Sequence, residues 1–107
     1  MRSVPDGRVQ RLTVMLRSGD HSHHHLLATE MLARARRAHL AGATLLQAVE
    51  GRGRSGAVHH SHLFGHDAPL SLVVVDDADK IGEFVAANHD LLEDVVVVVD
   101  DVTAFRA

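Results

Sequence analysis

The sequence predicts an α+β fold in the order strand, helix, strand, strand, helix, strand, and three observations carry that reading. In VQRLTVMLR, residues 9–17, apolar and polar residues alternate, the period-two pattern of a strand with one buried face. In LLATEMLARARRAHLAG, residues 26–42, the apolar period changes to three and four, which makes one stripe on a helix. The pattern then recurs, because a second amphipathic stretch lies between LSLVVVD, residues 70–76, and DVVVVVD, residues 94–100. Two such halves, each laying its helix on the same face of a four-stranded antiparallel sheet, form the ferredoxin-like βαββαβ sandwich.

Residues 1–8 hold Pro5, Asp6 and Gly7 without periodicity and are expected to form a flexible N-terminal arm, leaving 9–107 as a single domain. The first strand puts Leu12, Val14 and Leu16 on one face and Arg11, Thr13, Met15 and Arg17 on the other; Gly19 and Asp20 end it. In the first helix Leu27, Ala28, Met31, Leu32, Ala35 and Ala38 form the stripe. Asp20 or Ser22 is placed to cap its start, Gly42 its end, and His39 to interact with its C-terminus. ATLLQAVE, residues 43–50, is the second strand and LSLVVVD the third. Asp76 or Asp77 is expected to cap the second helix, in which Ile81, Phe84, Val85 and Asn88 share a face and His89 follows at the end. The last strand carries valines on both faces, Val95 to Val99, although both helices cover only one. Exposing a valine forgoes roughly 1.5 kcal/mol or more, so the open face is expected to be covered by further copies of the chain.

Composition narrows the function classes. A chain of 107 residues suits one domain with an aliphatic core, since Phe64, Phe84 and Phe105 are its only aromatics. Without cysteine there are no disulfides or thiolate metal sites. With no long apolar run and no signal-like N-terminus, a cytoplasmic location is expected. No basic face with interleaved aromatics is evident, which argues against nucleic-acid binding. No nucleophile turn or oxyanion-hole signature accompanies the serines, so the chain is not expected to be an enzyme.

The connection between the second and third strands, loop 51–68, is far longer than the usual hairpin turn of about two to five residues. It begins GRGRSG, a literal G-x-G-x-x-G. A dinucleotide fingerprint, however, leaves the first strand of a βαβ unit and opens a helix, whereas these glycines leave a second strand with another strand beyond. The physical ingredients of an anion site remain. Gly51, Gly53 and Gly56 let backbone N–H groups converge, and Arg52 and Arg54 supply charged donors. The competing reading is a solvated glycine-rich loop.

Across residues 9 to 102, the element order with GATLLQAVEGRGRSG, DAPLSLVVVDDADKI and the closing valine strand resembles the PII-like proteins, and most closely an uncharacterised bacterial PII-like family. The resemblance implies a homotrimer with open sheet faces turned inward. It also implies a long loop that touches a partner protein, such as a membrane transporter or channel, and an adenine nucleotide effector bound between subunits at the loop base. It places Gly51, Gly53 and Arg54 beside nucleotide phosphates, with Ser55 at the position near phosphate and magnesium. The sequence departs from the PII pattern between the second helix and last strand, where NHDLLED, residues 88–94, has no glycine or lysine and carries Asp90, Glu93 and Asp94. That puts ATP in doubt as the effector.

Ten histidines remain to be explained. HSHHH, residues 21–25, precedes the first helix, and His59, His60, His62 and His66 lie in the long loop. Imidazoles bind zinc and other divalent metals, and the PII-like fold is similar to that of the CutA cation-tolerance proteins. The alternative function is therefore a histidine-rich metal-binding trimer. Solvated histidines and pH-dependent loop ordering are the other readings of the same residues.

Overall fold

The computed structural model describes residues 8–22, 25–48, 50–52, 58–60 and 68–106. The central sheet contains β1 (Val9–Arg17), β4 (Ala43–Gln47), β7 (Pro69–Asp77) and β8 (Val96–Val102). Its order is β4-β7-β1-β8 and every pairing is antiparallel. Helices α1 (Leu27–Arg37) and α2 (Ala78–Ala87) complete the predicted ferredoxin-like sandwich.

Register assigns the two faces, because directly paired residues in antiparallel strands point to the same side. One face has the rows Leu45–Leu72–Val14–Val97 and Ala43–Val74–Leu12–Val99. Leu27, Ala28, Met31 and Ala35 of α1, with Ile81 and Phe84 of α2, pack on its central strands to form the core. The opposite face has the rows Thr44–Val73–Thr13–Val98 and Leu46–Ser71–Met15–Val96. No element among the described residues covers it: Leu46 is 52% exposed, Met15 48% and Val96 57%. Arg11 and Asp100, paired across β1 and β8 on this face, form an ion pair of 2.6 Å.

The structure corrects several local expectations. The first helix begins after a small hairpin, β2 (His21–Ser22) with β3 (His25–Leu26). Neither Asp20 nor Ser22 caps it through a side chain; the Asp20 carbonyl accepts the Leu27 N–H at 2.8 Å, while its carboxylate accepts the Arg17 N–H at 2.9 Å. The helix ends at Arg37, well before Gly42, and Ala38 is exposed beyond its last turn. His39 ends the helix with its backbone rather than through its imidazole. Its φ of 56° lies in the left-handed region that usually selects glycine, its N–H donates to Arg36, and the Leu40 N–H reaches back to Ala35.

Asp77 occupies the N-cap of α2 without a side-chain cap bond, and Asp76 does not cap that helix. Asp76 is instead fully buried: one carboxylate oxygen accepts the Ala41 N–H and the other the Asp77 N–H, each at 2.7 Å. The segment after α2 is not a plain connection. It contains α3 (His89–Leu92), which His89 opens and which buries Leu91 and Leu92 in the core. β8 runs from Val96 to Val102, two residues later than the valine pattern predicts at both ends.

Candidate functional site

The long connection leaves and re-enters the sheet at one end, where β1 and β4 finish and β7 and β8 begin. Register places Arg17 opposite Pro69, and Gln47 opposite Leu70. Backbone bonds extend both pairings by one step: the Ser18 N–H donates to the Ala68 carbonyl and the Ala48 N–H to the Pro69 carbonyl, each at 2.9 Å. The Ala68 N–H donates to Ser18 Oγ at 2.8 Å, so Ser18 holds Ala68 by both its N–H and its carbonyl. Ala68 is almost fully buried. The root of the connection is thus fastened to β1 as well as to its own strands.

Beyond the root the connection is not all loop. β5 (Glu50–Arg52) pairs with β6 (Val58–His60), with Gly51 opposite His59 and Arg52 opposite Val58. The glycine-arginine motif therefore starts on the outgoing strand of a ribbon. The predicted residues Gly51 and Arg52 lie on β5, and His59 and His60 on β6. Gly53, Arg54, Ser55, Gly56, His62 and His66 lie outside the described residues, as does the arm before Arg8. Among the described residues no group of three or more histidine or carboxylate side chains could hold a metal ion.

At the same end of the molecule a cleft opens between the turn after β1 and the α3–β8 connection. Leu27, Leu91 and Val95 line it alongside Asp20, His21, Asp90, Glu93 and Asp94. His21 Nδ1 lies 2.5 Å from the Gly19 carbonyl; a carbonyl can only accept, so that nitrogen donates. Arg34 of α1 holds one wall of this cleft in place. Its guanidinium donates to Asp90 and to Asn88 Oδ1, both at 3.0 Å, and to Glu30 at 3.1 Å. Asn88, buried on the predicted apolar face of α2, donates in turn to the Phe84 carbonyl at 2.7 Å. Hydrogen bonding to Arg34 holds the Asp90 and Glu30 carboxyl groups below the usual carboxylate range, and the same partners raise the Arg34 guanidinium.

The acids of NHDLLED are therefore not equivalent: Asp90 and Glu93 are both exposed, but Asp90 is engaged by Arg34. Neither the Ser18–Ala68 clasp nor the Arg34 bridge carries a sequence signal. The first joins residues 50 positions apart, and the second joins α1 to a helix too short to show a period.

Three solved structures set this fold among known proteins. CPII from Thiomonas intermedia K12, a nitrogen regulatory PII-like protein bound to ADP, AMP and bicarbonate, matches with a TM-score of 0.69 at 21% identity, over 94% of this chain and 91% of that one. CPII bound to ADP and bicarbonate matches at 0.65 and 22% identity, with 94% and 91% covered. The divalent ion tolerance protein CutA1 from Ehrlichia chaffeensis matches at 0.61 with 8% identity, over 92% of this chain and 84% of that one. At such identities the likeness is one of fold. No curated protein matches the chain. The family model of DUF190, described as "Uncharacterized ACR, COG1993", matches residues 9–104. The chain thus belongs to the DUF190 family, and its fold is the PII-like one.

Proposed function

We propose that the chain is a regulatory binding protein that takes an adenine nucleotide at the root of its long connection and presents that connection to a partner protein. The observation that carries this reading is the fastened root. Ser18 and Ala48 pin Ala68 and Pro69, and a ribbon bearing Gly51 and Arg52 leaves directly from the pinned end. A glycine-rich backbone beside arginines suits a phosphate, since each hydrogen bond to a charged group contributes about 1.5–3 kcal/mol. CPII, whose structures contain ADP, AMP and bicarbonate, supplies the analogy for the effector class. The reading is of binding, with no bond made or broken, and of a cytoplasmic protein in contact with the nucleotide pool. No described helix is long and apolar enough to cross a membrane.

The site is proposed to lie between copies of a homotrimer that covers the open sheet face. The apolar rows through Val73, Met15, Val96 and Val98 motivate that assembly. Glu93 and Asp94, beside the Arg34-paired Asp90, add negative charge at the same end, where a polyphosphate would be repelled. Nucleotides with fewer phosphates are therefore the better effectors.

Calorimetry with AMP, ADP and metal-free ATP tests the proposal. AMP or ADP is expected to bind more tightly than metal-free ATP, and Arg52→Ala with Arg54→Ala to weaken binding about tenfold or more. No binding of any nucleotide at millimolar concentration, or a double variant indistinguishable from the parent, would refute the nucleotide reading. A zinc titration of untagged protein tests the histidine alternative; uptake unchanged by His60→Ala and His62→Ala removes the loop from it.

A further inference from the structure

We draw no further inference here: the strongest candidate, the cleft of about 750 Å3 lined by Asp20, His21, Asp90, Glu93 and Asp94 between the turn after β1 and the α3–β8 connection, rests on a cluster of carboxylates with no second observation that points to a ligand.

Discussion

Two side chains do work that their residue types alone do not announce. Asp76 looks like one of several acids at a helix start, yet its fully buried carboxylate joins the α1–β4 connection to the β7–α2 junction. Asp76→Ala would leave the Ala41 and Asp77 N–H groups without that acceptor, at about 1–3 kcal/mol each. A loss of roughly 2–5 kcal/mol in urea unfolding is expected, and a change below about 1 kcal/mol would contradict the bridging role. Arg34 acts by charge as well as by geometry. Because it holds Asp90 and Glu30 below the ordinary carboxylate range, both keep their charge and their bonds to a lower pH than a free carboxylate does. The stability they contribute is present above that range and is lost as pH falls through their lowered values. In Arg34→Met, an NMR titration should find the Asp90 carboxyl moved up toward the ordinary aspartate range. An unmoved Asp90 would mean that the bridge does not persist in solution.

At the scale of elements, length decides what can be read. The nine-residue β1 and the eleven-residue α1 each span enough repeats to show their period. By contrast, β2, β3, β5 and β6 have two or three residues each and α3 has four, fewer than a strand or helix pattern requires. Glycines in GRGRSG further weaken any strand signal, so the ribbon inside the long connection reads as loop. The connection is fastened at Ala48, Ala68 and Pro69, all outside the ribbon, so the sheet should not depend on it. Replacing residues 50–66 by a short glycine-asparagine turn is expected to shift the melting temperature by only a few degrees, since loop closure depends weakly on length. The same deletion should abolish nucleotide binding. A collapsed fold would show that the ribbon is structural, and retained binding would place the effector elsewhere.

Across the whole sheet, the helices cover the inner strands on one side, and the described residues leave the other side bare. The helices cover the inner strands, so Leu12, Val14, Leu72 and Val74 are completely buried while every residue of β4 remains exposed. The bare rows mix Leu46, Val73, Met15, Val96 and Val98 with Thr44, Thr13 and Ser71, and the Arg11–Asp100 pair lies toward one end. Full burial of a valine contributes about 1.5–3 kcal/mol, and Val96 and Val98 are 57% and 39% exposed, so an assembly must cover the whole face rather than a few valines. Analytical ultracentrifugation is expected to find a trimer, and Val96→Asp with Val98→Asp to shift it toward the monomer by placing charges in the seam. A parent protein that sediments only as a monomer would remove both the assembly and the inter-subunit site built on it.

Local pattern in the sequence was enough to order the main elements and to show which side of β1 is apolar. Periodicity is a local property, and ten residues are enough to express it. Tertiary structure alone decided how Ser18 grips Ala68, why Asp76 is buried, and how Arg34 reaches Asn88 and Asp90. Each of these contacts joins positions 35 or more apart, where no repeating pattern links the partners and only the folded geometry brings donor to acceptor.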